Sequence, residues 1–371
     1  GRPQRTMNAV MPAPVRDPAA APDCADPAAT LLALLAHPNI ASKEHIIRRY
    51  DHEIRGATVV RPLVGEGHDS HADGVVLAEP AHSHGLAIGI GVNPWFGITD
   101  PEHMAHAVVD EAIRNVVAVG ADPSSVALLD NFSWGDPRRP STLGELVAAV
   151  QGCCAAATAP RAPFVSGKDS LNNEYLGSDG ARHAVPPTLV ITAIAHHPNP
   201  DLAVTPDLKQ AGSVLVLVGS TRTEFGGSHF FMVDGTLSFG DGARGMVPAP
   251  DPHAPSRYRA LHRLLRTGRV RSCHDLSEGG LAVALAEMCI GGRWGADIVS
   301  LPHPDTTTSL FSESNGRFVC EVAPDDVQWF LAGLGEPATV LGTVTAEPLL
   351  RLAGSDTPVD ALRAAFRGDP R

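Results

Sequence analysis

The sequence predicts a mixed protein of the α/β or α+β class, built as two units in which helices cover a sheet. Three observations carry this expectation. Apolar strand-like runs alternate with helical segments along most of the chain, and such alternation places helices over a sheet. A polar, proline-rich stretch, HHPNPDLAVTPDLKQAG at 196–212, interrupts the alternation near its middle, as a domain boundary would. The length of 371 residues favours two hydrophobic cores over one.

Residues 1–29 are rich in Pro and Ala with little to bury, and read as a linker or mobile tail. Two short helices are expected near 30–36 and 42–50. Strands follow at GVVLAE from Gly74, GLAIGIG from Gly85, SVALLD ending at Asp130 and TLVITAIA from Thr188. Between the second and third lies a well-bounded helix, with Asp100 as N-cap, Pro101 in the first turn and Gly120 just past the end. Another helix fills 142–158. After the break, SVLVLVG at 213–219 starts a second set of elements, with helices near 257–266, 324–334 and 358–367 and one beginning near Glu278. The expected division is a first unit at 30–205, a second at 206–350 and a C-terminal segment at 351–371. No repeat of 20–50 residues is present.

Composition narrows the function. A net charge of −12 and a pI near 5.7 oppose a nucleic-acid binder, which would carry a basic patch. The six cysteines lack CxxC spacing and fit buried, reduced thiols. No apolar run reaches membrane-spanning length and no signal-peptide core opens the chain, so a cytoplasmic protein without membrane contact is expected.

Several stretches could carry chemistry. PFVSGKDSLNNEY at 163–175 resembles the end of a phosphate-binding P-loop, but the position five before Gly167 is Ala162 and Asp169 follows Lys168. Both anchors of that motif fail. The small polar groups around Gly167 suit a ligand loop at a strand end, or simply a turn. In CHDLSEGGLAVALAEM at 273–288, Ser277 could cap a helix whose apolar stripe is Leu281, Leu285 and Met288. Gly279 and Gly280 would open its first turn to phosphate, or merely loosen it. His274 and Asp275, just upstream, could ligate a metal or orient a phosphate. Glu111 and Asn115, four apart on an otherwise apolar helix face, want a partner such as Mg²⁺ with phosphate oxygens, although pairing of Glu111 with Arg114 is an alternative. Asp73 and Asp130, at strand boundaries, are nucleotide or Mg²⁺ contacts or turn residues. The seventeen histidines, including those at 82, 84, 196 and 197, show no metal spacing and read mostly as surface groups. Nucleophile-elbow, zincin and dinucleotide-loop motifs are absent, and the glycines at 89, 91 and 97 are wrongly spaced for the last.

Successive blocks resemble one family. They are PNIASKEHIIRRYDHEIRG, GVNPWFGITDPEHMAHAVVDEAIRNVVAVGADP, LLDNFSWG, SGKDSLNNEY, TRTEFGGSHF, CHDLSEGGLAVALAEM and LFSESNGRFVCEV. Their order and content are similar to the second half of the synthetase subunit of phosphoribosylformylglycinamidine (FGAM) synthase, an ATP-dependent ligase of purine biosynthesis. The resemblance implies a two-domain unit like aminoimidazole ribonucleotide (AIR) synthetase, whose A domain pairs by its sheet into a barrel and whose B domain is an α/β sandwich. It implies nucleotide contacts at Asp130, Gly167 and Ser277, and a contact with formylglycinamide ribonucleotide (FGAR) at Ser170. Asp73, Glu111, Asn115 and Asp275 match positions that hold Mg²⁺ beside ATP or ADP at an auxiliary nucleotide site. Lys168 stands where many members carry a metal-binding Asn; a cation cannot ligate Mg²⁺, so Lys168 is expected to meet a phosphate.

The implied partners are first-half synthetase domains in the same or a separate chain, a glutaminase subunit and a small bridging subunit. The family's general acid/base belongs to the first half, so no catalytic residue is assigned here. Two other readings stand beside this one: a non-catalytic scaffold half that holds structural ADP, and a different ATP-dependent synthetase or kinase of the AIR synthetase superfamily.

Overall fold

The computed structural model describes residues 6–13, 21–78, 83–233 and 245–368. Helix α1 (Pro27–Ala36) precedes a six-stranded sheet: β1 (Thr58–Val60), β2 (Gly74–Leu77), β3 (Gly85–Val92), β4 (Ala127–Trp134), β5 (Phe164–Leu171) and β6 (Thr188–His197). Their order across the sheet is β1-β2-β3-β6-β4-β5, antiparallel throughout except for the parallel β4–β5 pair at one edge. Alternation decides the two faces. Along β3 the odd positions, Gly85, Ala87, Gly89 and Gly91, turn inward beneath helix α3, which follows the short helix α2 (Pro94–Thr99) and spans Pro101–Ala118. A Cβ at Gly91 would strike the Val108 backbone, so this glycine lets α3 lie directly on the sheet. Helix α4 (Pro140–Thr158) packs beside α3.

The opposite face of this sheet is bare and apolar. Leu86 is 50% and Ile90 51% exposed on β3, with Val92 beside them and Leu77 and Val59 exposed on the neighbouring strands β2 and β1. A patch of this extent marks an interaction surface. The sheet is open, with β1 and β5 as its edges.

The second unit centres on seven strands: β7 (Val214–Val218), β8 (Val270–Asp275), β9 (Gly295–Ile298), β10 (Phe318–Val322), β11 (Ala338–Thr345), β12 (Leu349–Leu352) and β13 (Ser355–Pro358). The unbroken apolar run of β7 is explained by burial on both faces. Val216 and Val218 join the cluster that contains helices α5 (Ala254–Leu265) and α7 (Val327–Leu334), while Leu215 and Leu217 join the one around α6 (Gly280–Gly292) and α8 (Val359–Arg367). The first of these clusters continues into α3 of the other unit, so the two units share one core. Among the described residues, no helix is long and apolar enough to cross a membrane.

Several expectations change. Residues 163–175 were expected to form a loop, but Phe164–Leu171 is a strand of the sheet. The strand expected to end at Asp130 runs on to Trp134. Gly279, in the left-handed conformation, occupies the N-cap of α6 rather than Ser277, whose carbonyl accepts from the Gly280 amide. Part of the 1–29 segment lies outside the described residues. Within them, Val10 N–H donates to the Pro140 carbonyl at 2.8 Å, and Leu31, Leu34 and Leu35 of α1 pack in the second unit's core rather than the first's.

Candidate functional site

Two groups of the expected residues form, one around β2 and β3 beneath α3 and one on the β4–β5 edge, with β6 between them. The first gathers where α3, the start of β2 and the end of β8 meet. Asp73, just before β2, bonds through Oδ1 to His274 Nδ1 at 2.6 Å, and His274 Nε2 reaches Glu287 at 3.2 Å. Donor atoms of Asp73, His274 and Asp275 lie within 4.8 Å of one another. Asp73 Oδ2 and Asn115 Oδ1 are buried without a partner, although Asn115 Nδ2 donates to the Ile90 carbonyl at 2.8 Å. Orphaned buried acceptors are costly and indicate a missing partner.

Glu111 does not pair with Arg114. Its Oε2 accepts the Val92 amide at 3.0 Å, and burial, then the nearby charge of Glu278, push its carboxyl well above the usual range against the pull of Arg114. Arg114, 2% exposed, instead donates to Asp110 and, at 3.1–3.2 Å, to Asp275 Oδ2. Burial likewise raises Asp73 to about 6, partly offset by His274. Glu111, Arg114 and Ser277 line one small cavity with Asn93, Glu278 and Glu313. The arrangement offers oxygen ligands beside a cation, as a metal–phosphate ligand requires.

The second group lies on the parallel β4–β5 pair, which sets Asp130 opposite Gly167, Asn131 opposite Lys168 and Ser133 opposite Ser170. A Cβ on Gly167 would collide with the Asp130 carboxylate. Burial, then the neighbouring Asp169, raise Asp130, opposed by the Lys168 amide. Lys168 Nζ donates to Ser170 Oγ and remains exposed. Gly167→Ala should turn the Asp130 carboxylate, the free end of a flexible side chain, away from this strand pair at a cost of no more than about 0.5 kcal/mol. Urea unfolding measures it, and a loss above about 1 kcal/mol would show that Asp130 is held rigidly in place.

Sequence reasoning missed a buried histidine at the rim of the first group. His229, 1% exposed, donates from Nδ1 to Glu313 Oε1 at 3.2 Å, and Glu313 also accepts the amides of His229 and Gly279. Burial lowers His229, but Glu313 outweighs it and holds the imidazole above its ordinary value. The stability from this pair is therefore fully present below about pH 6.5 and is lost as pH rises through the raised folded value. Urea midpoints should fall between about pH 6 and about pH 9 and fall less in Glu313→Gln; identical slopes would refute the pairing. The signal available in the sequence was that both residues stand in glycine- and serine-rich stretches, GGSHF and SESNG.

Comparison with known proteins places this geometry. Residues 70–196 match the N-terminal domain and 210–354 the C-terminal domain of AIR synthase related proteins. The chain is 34% identical over 366 residues to phosphoribosylformylglycinamidine synthase subunit PurL of Anaeromyxobacter dehalogenans, covering 95% of this chain and 46% of that protein. Against PurL of Deinococcus radiodurans it is 37% identical over 346 residues, covering 91% and 44%. It thus spans about half the length of the curated relatives it matches. Thermotoga maritima PurL complexed with FGAR superposes with a TM-score of 0.69 at 20% identity, over 92% of this chain and 54% of that one. HypE, in its complex with HypF, superposes at 0.60 and 16% identity, over 85% and 97%.

Proposed function

Because the chain belongs to the AIR synthase related protein family, with both its N- and C-terminal domains, we propose that it is one half of an ATP-dependent FGAM synthase. The overall reaction joins FGAR, ATP and glutamine-derived ammonia to give FGAM, ADP and phosphate. ATP phosphorylates the amide oxygen of FGAR, and ammonia then displaces phosphate at that carbon. Positioning and charge neutralisation carry most of such a phosphoryl transfer.

In this reading Asp130, Gly167 and Lys168 face ATP and Ser170 faces FGAR at the β4–β5 edge. Asp73, Glu111, Asn115 and Asp275 would hold Mg²⁺ at the first group, with Ser277 toward the nucleotide. The residues fit the ion. The unpartnered Asp73 Oδ2 is a hard oxygen donor close to Asp275, and Asn115 Oδ1 on α3 is a second buried acceptor without a partner; these orphaned acceptors are the observation that carries the assignment. Bound Mg²⁺ would neutralise phosphate charge. Arg114 keeps Asp275 in place and adds positive charge near the phosphates, while burial by α3 and α6 keeps water from the carboxylates.

The exposed apolar face of β3 suits a first-half synthetase unit that closes the open sheet into a barrel. A glutaminase subunit and a small bridging subunit complete the assembly, and a cytoplasmic location accords with that metabolism. Co-expression with a first-half polypeptide should restore growth without purine to a strain lacking FGAM synthase, and the chain alone should not. Growth with the chain alone would overturn the two-half reading, and failure in the paired cells would overturn the assigned reaction.

A further inference from the structure

We propose that the cleft between α3, α4 and α5 is a separate small-molecule site for a ligand with one apolar ring and an anionic substituent. The cleft holds a cavity of about 120 Å³ walled by Val109 and Ile113 of α3, Ala156 of α4 and Ala159 just past its end, and Pro255 and Tyr258 of α5. An apolar void of about 150 Å³ takes benzene, so a ring would fill this cavity and extend into the space that adjoins it. The cavity continues into a wider trough of about 510 Å³ that shares Ile113, Ala159, Pro255 and Tyr258 and is flanked by Arg161 and Arg259. Ser124, whose hydroxyl donates to Asp122 Oδ1 at 2.7 Å, lines the same trough.

Charge complementarity selects the ligand. Neither Arg161 nor Arg259 has a side-chain partner among the described residues, so both guanidinium forks are free for a carboxylate or phosphate. The two carboxylates near the cavity are already engaged, Asp110 by Arg114, Tyr258 and the Gly316 amide, and Asp251 by Arg257. The trough carries these two guanidinium groups, with Asp122 beside it held by the Ser124 amide and hydroxyl, and the cavity is largely apolar with His106 at its wall, a division that matches one amphiphilic molecule rather than a simple anion.

The place is distinct from the groups above. On α3 the cleft uses Val109, Asp110 and Ile113, whereas Glu111 and Asn115 point to the sheet side. It is nevertheless linked to them, because Tyr258 and Arg114 share Asp110 and Arg114 holds Asp275.

The test titrates the full chain with phenyl phosphate, benzene and inorganic phosphate, followed by protein chemical shifts. Phenyl phosphate should bind about tenfold tighter than either fragment, which is about 1.4 kcal/mol. Ala156→Phe should fill the cavity and abolish that binding. Arg161→Glu with Arg259→Glu, both on the surface, should weaken phenyl phosphate about tenfold or more and leave benzene unchanged. If Ala156→Phe does not fold, the surface pair still decides. Three results would overturn the proposal: phenyl phosphate no tighter than inorganic phosphate, benzene as tight as phenyl phosphate, or binding that survives these variants. The last includes phenyl phosphate captured at the nucleotide groups, which is blind to both changes.

Discussion

Arg114→Met should destabilise the protein by about 3–5 kcal/mol, the largest effect expected of any single change described here. Arg114 is buried against Asp110 and Asp275, and its guanidinium also donates to the Leu276 carbonyl at 3.2 Å. Met fills much of the volume but leaves the buried Asp275 and the part-buried Asp110 without that counter-charge. Asp110 keeps Tyr258 and the Gly316 amide as donors, whereas Asp275 has no other ion-pair partner among the described residues. Urea unfolding at neutral pH gives the value. A loss below about 1 kcal/mol would mean that the pair is solvated and contributes as little as a surface ion pair.

The second large effect concerns the metal. Asp73→Asn should weaken Mg²⁺-dependent ADP binding by roughly tenfold to a hundredfold, with Mg²⁺-free ADP binding changed by less than about threefold. Asn keeps an acceptor for His274 Nδ1, so the link at 2.6 Å can persist while the negative charge goes. Glu111→Gln should behave alike, because Gln still accepts the Val92 amide. Calorimetry with and without Mg²⁺ separates the two quantities. Equal weakening in both conditions would place these carboxylates on the nucleotide rather than on a metal, and unchanged binding would remove them from the site.

The parts of this site legible in the sequence were those set by local spacing. Asp100 caps α3 through its side chain, accepting from the His103 amide at 3.1 Å, and the i,i+4 relation of Glu111 and Asn115 follows from the helix it starts. The apolar run of β7 was equally readable, since burial on both faces leaves no polar position. What was hidden depends on partners far along the chain. Arg114 meets Asp275 and Asp73 meets His274 across 161 and 201 residues, and nothing local distinguishes those pairs from helix-surface ion pairs. Strand β5 was misread because SGKDSL lacks alternation. As an edge strand paired in parallel with β4 it is mostly exposed, so no buried face imposes a pattern on it. Helix α1 was assigned to the wrong core because its leucines show a buried stripe but not which sheet buries it. The cap of α6 was misassigned to Ser277 because side-chain capping and a left-handed glycine compete for the same position.

The measurement that tests the central reading most directly is ADP release from ATP in the presence of FGAR and ammonium, for the purified chain alone and for the chain mixed with a first-half synthetase polypeptide. The reading requires no FGAR-dependent release from either polypeptide alone and FGAR-dependent release from the pair, lost again when Asp130 is replaced by Ala. FGAR-dependent release from this chain alone, or none from a pair that forms a stable complex, would contradict it.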